Sequence, residues 1–480
     1  MPVGRVSSLM RSIVAVLASL LGVEAQSELG CQPPAACFGS WLQGEPIEFD
    51  SGIAPACTVW AFYSQQPHLL SVDSSYLSQL QARYVDRDVR VVAVVQDQEQ
   101  AGIDGWANCS IVLDEAAHTE MAWIVADDER RTNVLVRAKD GTVLFFGHPG
   151  AGLVDAIERA LDDRFDLETA EHAAAIRVDM PAKFDDALGS ETVATLAPLV
   201  AAYPRDGLLN GLLYLALATK SNDDQAAEEY LLAATARLSD DAQPLAVFAD
   251  LVLRGDSHRE SVVCALREPI AKAAVNAKWD PAVQLAYLRV LIMAGDGPEV
   301  GRQAMRCRKV VMQTAVGCLD YATLLARDDD PRIHADLAGL ALGQAEKLGA
   351  DARLLAAARY TVELLCGGDK QAAHEVITAY LKDQGMRVGI NNDSWHLMTE
   401  LATMGRYDHF AVALVERLLE KREVMEHFEF DTAALAMFLV GRIEDAIELQ
   451  SVALQISGGG VPDYEERLAR YRGHLSAMPR

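Results

Sequence analysis

The eight cysteines are the residues of this chain whose side chains most readily do redox or metal chemistry. No Cys-x-x-Cys pair occurs in the sequence, which excludes the commonest dithiol redox motif and the usual zinc ribbon. Cys31 and Cys37 lie close together in the segment CQPPAAC and can form a disulfide in an oxidising compartment. Cys264, Cys307 and Cys366 fall among apolar helical positions, which is typical of buried, unreactive thiols.

Other catalytic patterns are weak. The sequence contains no glycine-rich phosphate loop, no GxSxG elbow and no HExxH motif. His148, in Phe-Gly-His-Pro, is a candidate acid or base, although its context favours a turn residue that precedes a helix. The acidic triplet 328–330 lacks the alternating ligands of an EF-hand loop. The sequence therefore predicts neither a metal nor a cofactor.

Composition and charge limit the classes of protein and partner. The chain has 480 residues, of which 50% are hydrophobic and 23% charged, as is typical of a folded protein. Its 43 basic and 69 acidic residues give a formal net charge of −26. Such a charge disfavours nucleic acid and anionic membrane surfaces as partners, and it favours basic ones.

The first residues have the pattern of a signal peptide. Arg5 and Arg11 precede the apolar run 13–23, and Ala25 ends a small-residue cleavage pattern. The run is too short to cross a bilayer comfortably, although an uncleaved membrane anchor is the alternative. We expect residues 1–25 to be a signal peptide and the mature protein to be periplasmic or secreted.

Strand-like and helix-like segments alternate up to residue 165. The segment 58–63 (TVWAFY) is rich in β-branched and aromatic residues, and the continuous apolar run 90–95 (RVVAVV) is typical of a central parallel strand. Lys139-Asp140-Gly141 predicts a hairpin turn between two further strands. The helices are expected at 73–84, 115–126 and 153–161. The resulting order is β-α-β-α-β-β-α, a parallel half followed by an antiparallel hairpin and a closing helix.

This order resembles the exported thioredoxin-like proteins of the TlpA/ResA type, whose active members are disulfide reductases. The residues that match are Val59-Trp60-Ala61, Tyr76 to Leu80, Arg90 to Val95 and Lys139-Asp140-Gly141. The segments 119–126 (TEMAWIVA) and 146–149 (FGHP) resemble one bacterial subgroup in which a tetratricopeptide-like region follows. The resemblance covers roughly residues 40–165 and implies a thioredoxin-like domain over residues 26–165.

The departures from this family concern its redox site. Active members have a Cys-x-x-Cys where the first strand meets the first helix, and alignment on Trp60-Ala61 puts Ser64 and Pro67 at those two positions. Thr132 takes the place of the family's cis-proline. Neither a hydroxyl nor a proline ring can form a mixed disulfide. The resemblance therefore implies a redox-inactive domain. The residues expected beside its degenerate site are Tyr63, His68 and His148.

Residues 166–480 read almost entirely as helix, with a faint internal repeat. A small-x-x-x-large-x-x-small pattern recurs at Ala226/Tyr230/Ala233, Ala372/Val376/Ala379 and Ala446/Gln450/Ala453. The gaps fit four and two units of about 37 residues, and a period of 34 to 40 is typical of stacked helical hairpins. The segment 430–454 resembles a tetratricopeptide repeat, and 391–411 a degenerate one. The alternative is an irregular α-helical domain. A final helix over 463–471 is expected to cap the stack.

The sequence thus predicts an α/β thioredoxin-like fold followed by an all-α helical-repeat array. We expect an exported binding or scaffold protein whose partner is a protein or peptide, with basic partners favoured. No nucleic acid is expected, and no membrane contact beyond the signal peptide. The alternative function is a thiol-disulfide oxidoreductase that uses non-standard cysteines, for which Cys31 and Cys37 are the candidate pair.

Overall fold

A computed structural model gives the fold of the chain. It describes residues 29–33, 38–47, 55–63, 74–96, 109–114, 134–182, 190–220, 224–255, 260–384, 387–400, 403 and 405–477. The chain divides into two compact units, of which the first ends at Ala173 and the second begins at Ala174.

The first unit is built on one mixed sheet. Its strands are β1 (Trp41–Gln43), β2 (Cys57–Tyr63), β3 (Val89–Val95), β4 (Ser110–Leu113), β5 (Val134–Ala138) and β6 (Val143–Gly147). They lie in the order β1-β4-β3-β2-β5-β6. The central strand β3 is parallel to both β2 and β4, as its apolar run predicted. The β2–β5, β5–β6 and β1–β4 pairs are antiparallel.

Both faces of this sheet are buried, which explains the unbroken apolar runs. Side chains alternate between the two faces of a strand. In β2, Val59 points to the face covered by helices α1 (Ser74–Tyr84) and α2 (Leu153–Leu161). Trp60 points to the other face, where its ring stacks on Phe38 at a centroid distance of 4.8 Å. Both helices agree with the sequence prediction, whereas the predicted helix 115–126 lies outside the described residues.

The hairpin between β5 and β6 confirms the Lys139-Asp140-Gly141 signal. Gly141 has a φ of +87°, a conformation that glycine adopts without steric cost. Its amide donates to the carbonyl of Ala138 at 3.0 Å, and the Asp140 carboxylate accepts from the amide of Thr142 at 2.9 Å. The turn residues therefore set the register of the antiparallel pair.

The second unit is helical. Its elements follow α3 (Leu167–Ala182), which begins in the first unit, and are α4 (Ser190–Ala202), α5 (Gly207–Lys220), α6 (Asp224–Leu238), α7 (Ala242–Gly255), α8 (Glu260–Asn276), α9 (Pro281–Met293), α10 (Gly297–Val311), α11 (Ala315–Leu325), α12 (Ala335–Lys347), α13 (Ala352–Val362), α14 (Lys370–Gln384), α15 (Arg387–Thr399), α16 (Asp408–Leu419), α17 (His427–Leu439), α18 (Ile443–Ile456) and α19 (Pro462–Ala477).

These helices form a repeat of hairpins. From α5 to α18 each odd-numbered helix packs against the even-numbered helix that follows it, which gives seven hairpins in the described part of the chain. The first helix of each hairpin begins at residue 207, 242, 281, 315, 352, 387 or 427. The starts of neighbouring hairpins are therefore 34 to 40 residues apart. First helices also pack on one another along most of the stack, as in α5–α7, α7–α9, α9–α11 and α11–α13. The predicted helical-repeat array is confirmed by this packing.

In two of the three predicted repeats, the buried positions differ by one residue from the prediction. The three predicted patterns fall on the second helix of a hairpin, in α6, α14 and α18. These hairpins are four and two repeats apart, as expected. Ala446, Gln450 and Ala453 are buried in α18. In the other two helices the buried positions come one residue later than predicted. They are Ala227, Leu231 and Ala234 in α6, and Ala373, Ile377 and Tyr380 in α14.

In several hairpins, a carboxylate or hydroxyl side chain caps the amino end of the first helix. Asp206 accepts from the amide of Leu209 at 2.9 Å, and Asp280 accepts from those of Ala282 and Val283 at 2.9 and 3.1 Å. Thr314 and Asp351 do the same at the starts of α11 and α13. Each such cap satisfies amides that have no partner inside the helix. The caps therefore mark where successive repeats start.

The helix α19 closes the array, as predicted, and is longer than the expected 463–471. It packs on α18 through Tyr464, Leu468 and Tyr471, which are buried. Tyr471 stacks on Phe438 of α17 at a centroid distance of 4.5 Å. Among the residues that the structure describes, none of the helices has the length and apolarity needed to cross a membrane.

Candidate functional site

The predicted redox-site positions fall largely outside the described part of the chain. Ser64, Pro67, His68, Thr132 and Cys37 all lie there. Tyr63 is the last residue of β2 and directly precedes Ser64 in the sequence. The expected pairing of Cys31 with Cys37 therefore stays a prediction.

His148 lies in the turn between β6 and α2. Its Nδ1 accepts from the amide of Gly150 at 3.1 Å, and its carbonyl accepts from the amide of Ala151 at 2.9 Å. The accepting Nδ1 carries no proton in this arrangement. These contacts give the imidazole a role in shaping the turn that leads into α2.

Cys31 and Cys264 are exposed, so the expectation of a buried Cys264 was wrong. The other five cysteines that the structure describes are buried and are poor nucleophiles. Burial raises the pKa of Cys57 to about 12 and that of Cys109 to about 11. It also raises the pKa of Cys307 to about 12, and those of Cys318 and Cys366 to about 11. A thiol with a pKa of 11 is a thiolate in roughly one molecule in 10⁴ at pH 7. Cys57 is the first residue of β2, at the opposite end of this strand from Tyr63.

Metal-binding geometry is also lacking in the described residues. They contain no group of three or more His, Cys, Asp or Glu side chains placed to hold a metal ion. In the acidic triplet 328–330, Asp328 is buried and pairs with His334, whose Nε2 lies 2.9 Å from the Asp328 Oδ2. This carboxylate is thus engaged inside the protein.

A group of mutually contacting charged side chains lies in the helical unit. Asp250 and Arg254 belong to α7, Arg289 to α9 and Asp320 to α11, three first helices that pack side by side. Arg254 pairs with Asp250 one helical turn away, and the Arg289 Nη2 lies 3.2 Å from the Asp250 Oδ1. The arginine side chains are 5% and 8% exposed, whereas Asp250 is 30% exposed. All three side chains of this group are thus mostly buried.

A distant segment completes this group, which we call the inner charge cluster: Asp250, Arg254, Arg289, Asp320, Arg327 and Arg406. Arg406 lies in the turn between α15 and α16, 156 residues after Asp250. Its guanidinium pairs with the carboxylate of Asp320 and lies 3.4 Å from that of Asp250. The Arg327 guanidinium donates to the Arg406 carbonyl at 3.0 Å.

The turn that carries Arg406 is fixed by local contacts. Gly405 has a φ of +70°, and a Cβ there would lie 3.6 Å from the Arg254 carbonyl. The amide of Arg406 donates to the Thr403 carbonyl at 2.9 Å. Tyr407, on the other side of Arg406, is buried in the core of the helical unit. The backbone on both sides of Arg406 is thus held in place while its side chain extends to α7 and α11.

The electrostatics of the cluster follow from burial and from its excess of arginines. Burial alone would raise the pKa of Asp250, but Arg254, Arg289 and Arg406 outweigh it and hold that pKa below its usual range. Burial lowers the pKa of Arg289 to about 10. Burial and the nearby charge of Arg254 lower the pKa of Arg406 well below its usual value, despite Asp250. Arg406 is therefore in a less favourable environment than an arginine in solvent.

Sequence reasoning missed this cluster, although a signal exists. Asp250, Arg289 and Asp320 are charged residues inside otherwise apolar helices, AVFADLVL, QLAYLRVLIM and AVGCLDYATLL. Asp250 and Arg289 are each the ninth residue of their helix, so they occupy equivalent positions in neighbouring repeats. Charged residues at such positions require a partner when buried. Nothing local in the sequence indicates Arg406 as that partner.

No protein-family model matches the chain, and a search of curated proteins finds no match. Among solved structures, the chain is similar to one in the crystal structure of the APC/C hetero-tetramer Cut9–Hcn1, with 14% sequence identity and a TM-score of 0.29. The match covers 67% of this chain and 60% of that chain, so it spans less than two thirds of the similar protein's length. From its own helix packing, the chain is a helical-repeat protein with an additional mixed α/β unit.

Proposed function

We propose that this chain is an exported protein-binding scaffold. Its helical-repeat array would bind a protein or peptide segment, and its first unit would be a redox-inactive thioredoxin-like domain. The observation that carries the proposal is the stack of hairpins, seven of them within the described residues, whose starts are 34 to 40 residues apart. Stacked hairpins of this kind present a continuous surface of side chains and typically bind extended or helical segments.

The topology of the first unit supports the thioredoxin-like assignment. The strands β3, β2, β5 and β6 are neighbours in this order. The pair β2–β3 is parallel and is joined by α1, whereas β5 and β6 form an antiparallel hairpin that α2 follows. This is the parallel β-α-β half, antiparallel hairpin and closing helix that the family resemblance implies.

The chemistry of the thiols supports the redox-inactive part of the proposal. The chain has no Cys-x-x-Cys, and the buried thiols that the structure describes have raised pKa values. Export is proposed from the basic start and the apolar run 13–23 of the sequence. A basic partner is proposed because the chain has a net charge of −26.

Insulin reduction tests the redox part. We expect the full chain, with dithiothreitol as the reductant, to reduce insulin no faster than dithiothreitol alone, because a protonated thiol does not attack a disulfide. An active thioredoxin provides the positive control. Turnover that disappears in Cys31→Ser or Cys37→Ser would instead support the thiol-disulfide oxidoreductase.

Peptide binding tests the scaffold part. Fluorescently labelled helical and extended peptides, each in a basic and an acidic version, would be titrated with the full chain and then photo-crosslinked to it. We expect the basic versions to bind, to weaken as salt is added, and to crosslink within residues 207–456. The proposal fails if neither version binds, or if all crosslinks fall before residue 174.

A further inference from the structure

Helix α10 is the most basic helix in the described part of this acidic protein. It carries four basic side chains and one acidic one, whereas the whole chain has a net charge of −26. The other second helices from α6 to α18 carry at least as many acidic as basic side chains. The charge of α10 is therefore opposite in sign to that of the protein around it.

Three of these basic side chains lie on one exposed face of the helix. Residues three and four positions apart are neighbours on a helix surface. The side chains of Arg302 and Arg306 are 58% and 63% exposed. Met305 is 56% exposed, and Lys309 is exposed as well. We call this set the basic stripe: Arg302, Met305, Arg306 and Lys309. The opposite face of the helix is buried and consists of Val300, Ala304, Cys307 and Val311.

The positive charge of α10 is only partly neutralised inside the protein. Glu299 pairs with Arg302 at 2.5 Å and with Arg306 at 3.2 Å, so one carboxylate serves two guanidinium groups. Among the residues that the structure describes, no carboxylate pairs with Arg308 or Lys309. An excess of positive charge therefore remains at this surface and can pair with carboxylates of another molecule.

The neighbouring second helix α8 adds a further guanidinium to this surface. Arg267 of α8 is 51% exposed and donates at 2.5 Å to Asp296, which directly precedes α10. Burial and Glu299 raise the pKa of Tyr287 in α9, whereas Arg267 and Arg306 oppose this shift. Guanidinium groups of both second helices thus lie near the same tyrosine hydroxyl.

We propose that the basic stripe, together with Arg267, is a docking surface for an acidic peptide segment of a partner protein, with an apolar side chain among its carboxylates. The carboxylates pair with the exposed cations, and the apolar side chain packs on Met305, whose flexible thioether chain adapts to its partner. The inference goes beyond the proposed function, because it adds an acidic partner on the second helices to the basic segment expected for the array.

The charge of the whole chain favours a short acidic segment over a nucleic acid. At physiological ionic strength, charges farther apart than about 8 Å are largely screened. A short segment therefore interacts mainly with the basic stripe and Arg267. A long polyanion would also extend over the acidic remainder of the protein, which repels it.

The test compares two full-length variants that have the same net charge. Arg302→Glu with Arg306→Glu reverses the basic stripe. The control, Arg422→Glu with Arg442→Glu, reverses two arginines that are 46% and 50% exposed elsewhere in the array. The probe is a fluorescein-labelled peptide, Glu-Glu-Leu-Trp-Glu-Glu-amide, titrated at low salt and followed by anisotropy. We expect the stripe variant to bind it at least about tenfold more weakly than wild type, and the control less than about twofold more weakly. No binding to wild type, or equal losses in the two variants, would overturn the proposal.

A single substitution applies if the double reversal does not fold by circular dichroism. Lys309→Glu removes no ion pair within the described residues and should weaken binding of the acidic peptide about threefold or more. Unchanged binding would refute the docking surface. A single-stranded oligonucleotide of equal charge should bind wild type more weakly than the peptide, and the reverse order would also refute it. The basic peptides of the scaffold test decide the proposed function separately, because reversal of the stripe should not weaken their binding.

Discussion

Replacing Asp250 with alanine is expected to lower the free energy of unfolding of the helical unit by about 3–5 kcal/mol, as removal of one partner from a buried ion pair typically does. Three arginines, Arg254, Arg289 and Arg406, share this carboxylate, and each is at most 11% exposed. Without Asp250 they would repel one another where water cannot screen them well. Urea denaturation followed by circular dichroism measures the loss.

The control for this variant is Asp445→Ala. Asp445 pairs with Arg442 on the surface, where both side chains are about half exposed, and such pairs contribute about 0–1 kcal/mol. Asp250→Asn keeps one accepting oxygen and should fall between the two. An Asp250→Ala chain as stable as the Asp445→Ala control would contradict the central place of this carboxylate in the cluster.

The lowered pKa of Asp250 also predicts a dependence on pH. A carboxylate whose pKa is depressed in the folded state contributes its stability above the unfolded pKa, about 3.9, and loses it as pH falls towards the folded value. Wild-type stability should therefore decline below about pH 4 more steeply than that of Asp250→Ala. Parallel acid titrations of the two chains would contradict this assignment.

Asp431→Ala is expected to detach the closing helix α19. The Asp431 carboxylate accepts from Gln450 of α18 at 2.8 Å and from Arg467 of α19 at 3.1 Å. The Arg467 side chain is 9% exposed and lies over the Trp395 ring at 5.2 Å. Removing the carboxylate takes this buried ion pair away, at a cost of about 3 kcal/mol. Hydrogen exchange of residues 462–477 should increase most.

Asp463→Ala provides the matched control in the same helix. Asp463 is exposed in the first turn of α19, where its charge contributes less than about 1 kcal/mol. Exchange in residues 462–477 should hardly change in this variant. If Asp431→Ala leaves α19 as protected as the control does, the buried pair is not what holds the helix.

The elements that the sequence predicted are those whose own residues determine them. The strand β3 is a continuous apolar run, and the β5–β6 hairpin contains Asp140-Gly141 at its turn. The strands β1 and β4 were missed because they have only three and four residues and are stabilised by pairing with each other and with β3. Short segments of this kind carry too few residues for an alternation to be recognised.

For the helical repeat, the sequence predicted the period but not the exact buried positions. The period was predictable because helix pairs of similar length recur along the chain. The register was wrong by one residue where two alanines are adjacent, Ala226-Ala227 in α6 and Ala372-Ala373 in α14. Both alanines fit a small position equally well, and only the neighbouring helices decide which of them is buried. The contact of Arg406 with Asp250 was not predictable, because it joins residues four hairpins apart.

That contact changes how the array should unfold. A stack in which each hairpin touches only its neighbours loses structure from its ends, and its stability is close to a sum of local terms. Here the turn before α16 is attached to α7 and α11, so the hairpins between them are enclosed in a loop of contacts. Fraying from the carboxyl end must then stop near residue 406 until this attachment opens. The hairpins from α7 to α16 should consequently melt as one cooperative block.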